Sequence, residues 1–197
     1  MRHTGRMHPF DAGLLASVDS LALQQVSSLM SNDMQVLGPD GEVVAVVETV
    51  GGGLGRMLMG SRSFVVRDGA DGRVLFRIED IATFGRDRMQ VLDAQGLPLA
   101  NLRREVAFLR TSLSVEVVDG TTFTVEGNLW DHDYRMLVQE RTIARATTEW
   151  GGFMNALAGR SRYRLDLDPA MPPVVRCAVL STAVGLDLIR EKDRRRD

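Results

Sequence analysis

Between Met34 and Leu167 the chain returns repeatedly to one pattern: a short run of alternating apolar and polar residues, a tight turn, then a second alternating run. Alternation with a period of two puts every second side chain on the same face, so each run reads as a strand with one buried face. Met34–Leu37 turns at Gly38-Pro39-Asp40-Gly41 into Val43–Val47, and Pro-Asp-Gly supplies the fixed φ and the left-handed position that a hairpin turn needs. Phe64–Arg67 turns at Asp68–Gly72 into Val74–Ile78, where Val74, Phe76 and Ile78 share a face. Met89–Leu92 turns at Asp93–Gly96 into Leu97–Leu102, and Leu113, Val115 and Val117 turn at Asp119-Gly120 toward Phe123 and Val125. Tyr134, Met136 and Val138 alternate next, Thr142–Thr148 favours strand, and Tyr163, Leu165 and Leu167 alternate with Arg164, Asp166 and Asp168. So many short strands predict a mainly β (α+β) domain, a barrel or a sandwich, because closure removes exposed sheet edges.

The flanks have a different period. From Gly13 to Met30 apolar residues fall at Leu14, Val18, Leu21/Ala22, Val26 and Leu29, the three-to-four spacing of an N-terminal amphipathic helix. After Pro172 and Pro173, which suit a first helical turn, an apolar run extends from Val174 to Ile189 and ends in the cationic Arg190–Asp197 segment, matching the helix dipole. That run is about as long as the shortest membrane-spanning helices. It carries Arg176 near its start and Asp187 near its end, about three turns apart, so the two cannot pair directly. A spanning helix would let both charges snorkel to the interfaces. The buried alternative is favoured, because Ala178, Ser181, Thr182, Ala183 and Gly185 permit close approach and a barrel of about ten strands needs filling. Arg176 and Asp187 then each cap one mouth and find hydrogen-bond partners there.

At 197 residues the chain suits one domain, here 13–190 between a tail at 1–12 and a charged tail at 191–197. A hydrophobic fraction of 44% with 25% charged residues excludes disorder and a multi-span membrane protein. The net charge of -2 gives no global pull toward nucleic acid or anionic lipid, so either would need a local patch. Cys177 is the sole cysteine, which excludes an internal disulfide and a cysteine zinc site and fits a reducing compartment. Ser17, Asp19 and Ser20 interrupt Leu14–Leu23, against a secretory signal. A cytoplasmic location is expected, with peripheral membrane association as an option.

Ordered along the chain are segments that resemble the phospholipid scramblase and LURP-one-related families, which share the Tubby C-terminal-like fold. Leu14–Val26 resembles the opening scramblase segment, and Arg62–Asp68 and Trp130–Tyr134 resemble family hairpins. Glu149-Trp150-Gly151-Gly152-Phe153, the Tyr163 strand and Arg176–Asp187 carry the strongest match. The resemblance spans about residues 13–190 and implies a closed antiparallel β-barrel of about 10–12 strands around a central hydrophobic C-terminal helix. It departs from scramblases where their acidic calcium loop would fall, since this chain reads Ala158-Gly159-Arg160-Ser161-Arg162. Calcium wants six to eight oxygen ligands, mostly carboxylates, so no calcium dependence is expected.

Candidate chemistry is sparse. His132 between Asp131 and Asp133 reads as a turn, and His3 and His8 lie in the tail, so no catalytic histidine, metal or cofactor is expected. Gly51–Arg56 lacks the Lys-Ser/Thr ending of a phosphate-binding loop and reads as a hairpin connection. Arg56, the Arg86/Arg88 pair and Arg103-Arg104 are candidate contacts for an anionic headgroup, weighed against ordinary solvated charge. Trp150 reads as a plug for one barrel end rather than a membrane anchor. The resulting expectation is a non-enzymatic, scramblase-like module that binds anionic lipid, phosphoinositide or a protein partner. The alternatives are a soluble regulatory or structural protein-interaction module and, ranked lower, a true scramblase with an inserted helix. Nucleic acid is disfavoured as a partner.

Overall fold

The computed structural model describes residues 10–28, 31–50, 63–81, 88–107, 110–128, 131–148 and 162–194. Twelve antiparallel strands form a closed barrel in chain order: β1 (Ser20–Ser28), β2 (Ser31–Leu37), β3 (Val43–Val50), β4 (Ser63–Asp68), β5 (Val74–Ile81) and β6 (Arg88–Asp93). The second half is β7 (Pro98–Ala107), β8 (Arg110–Val117), β9 (Thr122–Asn128), β10 (Asp133–Val138), β11 (Arg141–Thr148) and β12 (Arg162–Leu167). The ring closes where β1 pairs with β12, from Ser20↔Asp166 to Gln24↔Arg162. Helix α1 (Pro173–Arg194) follows.

Strand alternation sorts the side chains as the sequence pattern requires. Phe76, Ile78, Val115, Phe123, Val125, Tyr163 and Leu165 are buried, while Arg77, Glu116, Thr124 and Arg164 between them are exposed. Every side chain from Val175 to Leu186 is buried. A helix covered on all faces has to be surrounded, so α1 fills the barrel, with Met89 and Leu102 of the β6–β7 pair lying against Gly185. Among the described residues no helix is long and apolar enough to cross a membrane. A spanning terminal helix is thereby set aside, because α1 spends its apolar surface inside the sheet.

The expected helix over 13–30 is not formed. A single 3₁₀ turn covers Gly13–Ala16, and Ser20–Ser28 is strand β1. The three-to-four spacing of Leu14, Val18 and Leu21 suits a turn followed by a strand equally well. Leu21 and Leu23, each 1% exposed, alternate inward, and β1 hydrogen-bonds β12 on one side and β2 on the other. Without it the ring would stay open, and twelve strands' worth of pairing outweighs a local helical preference.

Antiparallel order sends successive connections to opposite ends. The proximal mouth, where α1 begins, collects the tight turns, and aspartates cap several of them. Asp68 Oδ1 accepts from Ala70 N at 2.8 Å, Asp93 Oδ1 from Gln95 N at 2.9 Å, Asp119 Oδ1 from Thr121 N at 2.9 Å and Asp168 Oδ1 from Ala170 N at 2.9 Å. Ala12 and Leu15 plug this mouth. Gly13 sits there at φ 56°, where an added Cβ would lie 1.6 Å from Asp68 Oδ2, the oxygen that accepts from Leu14 N.

Packing around α1 leaves no room at Gly185, whose added Cβ would meet Met89 Sδ at 2.7 Å. Gly185→Leu gains about 1 kcal/mol of helix propensity but overpacks the core by about 1–3 kcal/mol or more. The expected result is a thermal midpoint lowered by several degrees, read by circular dichroism; an unchanged midpoint would mean that space exists beside the helix.

Candidate functional site

At the distal mouth, where α1 leaves the barrel, five polar side chains from three parts of the chain converge. His132 lies in the turn before β10 at φ 53°, a left-handed conformation uncommon for a residue with a side chain. Its ring stacks on Tyr163 of β12 with centroids 4.1 Å apart and planes at 20°. His132 Nε2 lies 2.9 Å from Asp187 Oδ1, and the Tyr163 hydroxyl donates to Asp187 Oδ2 at 3.2 Å. Arg190, one turn along α1, donates to Asp187 Oδ1 at 3.2 Å and lies 3.1 Å from His132 Nδ1, also touching Nε2. Tyr134 is buried beside them. Burial first, and then the Asp187 charge, push the Tyr134 and Tyr163 phenols up.

A carboxylate only accepts and a guanidinium only donates. The His132 ring lies between them, with Nε2 against Asp187 and Nδ1 facing Arg190. A histidine–aspartate pair is part of a nucleophile-activating relay only if the second ring nitrogen faces a hydroxyl or thiol. Here it faces Arg190, and the sole thiol, Cys177, is buried within α1 and pushed up by that burial. The cluster fastens the end of α1 to β12 and to the β9–β10 turn. Among the described residues no group of three or more His, Cys, Asp or Glu side chains is placed to hold a metal ion.

The proximal mouth has its own fastening. The Arg176 side chain, 4% exposed, donates from Nη1 to Val18 O at 2.7 Å and from Nη2 to Asp19 Oδ1 at 2.6 Å. It donates further to Pro169 O at 3.2 Å and Met171 O at 3.3 Å. One guanidinium thus ties the first turn of α1 to the chain just before β1 and just after β12, where the ring closes.

Of the candidate headgroup contacts, Arg88 and Arg103 stand directly opposite each other across β6 and β7, both exposed. Directly opposed residues of an antiparallel pair have Cβ atoms about 5 Å apart, and like charges there repel. Ile81, 41% exposed, is opposite Arg88 on β5. Arg104 does not join them. Successive strand residues point to opposite faces, and Arg104 is half-buried opposite the inward Leu113, so the Arg103-Arg104 dipeptide is not a single site. Arg56 with its Gly51–Arg56 loop, Arg86, Trp150-Gly151-Gly152-Phe153 and the Arg160-Ser161 part of the loop before β12 lie outside the described residues.

Sequence reasoning placed His132 in its turn but missed its destination. Neighbouring strand side chains do diverge, which is why Asp131 and Asp133 stay exposed while His132 is buried. Its partners, 55 and 58 residues away, meet it only once the ring is closed around the helix.

The profile of the LURP-one-related family matches residues 20–184. Among solved structures, the X-ray structure of a protein from Arabidopsis thaliana superposes with a TM-score of 0.59 at 12% sequence identity, covering 91% of this chain and 98% of that one. At that identity the likeness is one of fold. No curated protein matches significantly. Because the profile runs from the first barrel strand deep into the helix that the barrel encloses, the chain belongs to the LURP-one-related family.

Proposed function

We propose that this LURP-one-related barrel is a non-enzymatic module that binds anionic lipid, phosphoinositide headgroups being the favoured class, without calcium dependence. One observation carries the reading: Arg88 and Arg103 are opposed on the outer face, and among the described residues neither has a carboxylate partner. Two like charges held side by side are relieved by a shared anion, and a phosphate offers oxygens to both. Ile81 beside them adds an apolar contact of the kind that interfacial proteins place in the headgroup region. Against catalysis stands the distal cluster, in which Asp187 and Arg190 occupy the ring nitrogens of His132.

Each arginine near an anionic surface contributes about 1 kcal/mol, so Arg88→Gln with Arg103→Gln is expected to weaken vesicle binding by about 2 kcal/mol, on the order of thirtyfold. Sedimentation with phosphatidylcholine vesicles, with and without phosphatidylserine or a phosphoinositide, measures this; a soluble inositol phosphate arm separates headgroup binding from surface charge. Chelating calcium is expected to change nothing. Undiminished binding by the double variant would remove the arginine pair from the mechanism. A protein-interaction module is the second reading, favoured by Leu97 and Val118, 63% and 47% exposed at the opposite mouth. It predicts one stoichiometric protein partner and no vesicle binding.

A further inference from the structure

Strand register sorts the outer wall around Arg88 and Arg103 into two rows. Across β6, β7 and β8 the first row runs Arg88, Arg103 and Ser114, each directly opposite the next. Two residues along each strand, about 7 Å away, a second row runs Glu79, Gln90, Asn101 and Glu116 from β5 to β8. The residues between the rows, Asp80, Met89, Leu102 and Val115, are buried, so by alternation both rows face outward. Among the described residues Glu79 and Glu116, like the two arginines, form no ion pair. A cationic row thus lies beside a row whose centre is two carboxamides and whose ends are carboxylates.

We infer that this wall reads a single phosphomonoester flanked by ring hydroxyls, so that a phosphatidylinositol monophosphate is preferred to a vicinal bisphosphate and to phosphatidylserine. This rests on the anionic-lipid reading and names the headgroup for it. A phosphomonoester carries a charge of about −1.5 to −2, which the two guanidiniums neutralise. The groups next to it are then the Gln90 and Asn101 carboxamides, which both donate and accept, as a ring hydroxyl does. The ammonium of a serine headgroup only donates and would leave their N–H groups unused. A second phosphate on the neighbouring ring carbon would lie over the carboxamides, with the arginine charge already neutralised and Glu79 and Glu116 at the two ends of the row. Repulsion from two carboxylates at about 7 Å in water, roughly halved by 0.1 M salt, lowers affinity on the order of fivefold. Headgroup charge counted alone gives the opposite order, because the bisphosphate is the more anionic lipid.

Sedimentation with phosphatidylcholine vesicles that contain a phosphatidylinositol monophosphate, a vicinal bisphosphate or phosphatidylserine tests this order. The parent chain is expected to bind the monophosphate about fivefold more tightly than the bisphosphate. Glu79→Gln combined with Glu116→Gln is expected to strengthen bisphosphate binding until the difference disappears or reverses. Gln90→Ala combined with Asn101→Ala is expected to weaken monophosphate binding severalfold. Parent affinity that rises with the number of phosphates overturns the headgroup assignment, as does phosphatidylserine binding as tight as that of the monophosphate. Indifference to either pair of substitutions overturns it too, and all of these leave anionic-lipid binding standing. No sedimentation with any of the three compositions overturns both.

Discussion

Replacing Arg176 with methionine is expected to lower the unfolding free energy by about 3–5 kcal/mol, the range for removing one member of a buried ion pair. The guanidinium is 4% exposed and serves four acceptors: Val18 O, Asp19 Oδ1, Pro169 O and Met171 O. Methionine fills similar volume, so the loss comes from acceptors left without a donor and not from a cavity. Those acceptors flank the β1–β12 seam, and the seam is what makes the sheet a ring. For a domain of this size each kcal/mol is worth about 2–4 °C, so the thermal midpoint should fall by about 10 °C. Lysine, with a charge but no planar fork, is expected to recover only part of this. A midpoint within a degree of the parent chain would show that the proximal fastening contributes nothing.

Asp187→Ala comes next, at about 3 kcal/mol. It deprives the Tyr163 hydroxyl, His132 Nε2 and Arg190 of their shared acceptor in a site where His132 and Arg190 side chains are 10% and 11% exposed. Asp187→Asn keeps the size and one acceptor oxygen and is expected to cost less. The tyrosines give a second readout. Burial, and after it the Asp187 charge, holds Tyr163 protonated in the folded state while the unfolded phenol ionises near pH 10. The folded chain then binds the extra proton, so stability contributed by the buried phenol is whole below about pH 10 and is lost as the pH rises beyond it. Removing Asp187 takes away one of the causes of that shift, so Tyr163 should ionise at lower pH in Asp187→Ala than in the parent, as seen by ultraviolet titration. Loss of stability without any change in the tyrosine titration would mean that Asp187 acts on Arg190 and His132 alone.

Much of this fold was legible because strands and turns announce themselves locally. Val74, Phe76 and Ile78, or Tyr163, Leu165 and Leu167, need only their own neighbours to declare which face is buried. Gly41 at φ 81° occupies the left-handed place that Pro39-Asp40-Gly41 foretold. The first twenty residues of the domain misled for the converse reason: a spacing that fits a helix also fits a turn plus a strand, and only pairing with β2 and β12 separates them. The arginines divide in the same way. Parity along β7 sets Arg103 and Arg104 on opposite faces, which a strand assignment already implies, whereas the Arg88–Arg103 juxtaposition depends on the register between β6 and β7. His132 was the hardest, since a histidine between two aspartates in a turn looks solvated until Tyr163, Asp187 and Arg190 are brought over it.

The sequence by itself determined a mainly β, barrel-compatible chain with a helix-forming, apolar C-terminal run, because period-two alternation, Asp-Gly turns and a continuous apolar segment are properties of consecutive residues. Tertiary structure alone decided that the ring closes through β1, that α1 lies inside it, and that its two awkward charges become the fastenings of opposite mouths. It also decided that the aspartate-capped turns gather at one end while Arg88 and Arg103 meet near the other. Register and closure are relations between residues far apart in the chain, and they take their values only when hydrogen bonding fixes which strand lies beside which.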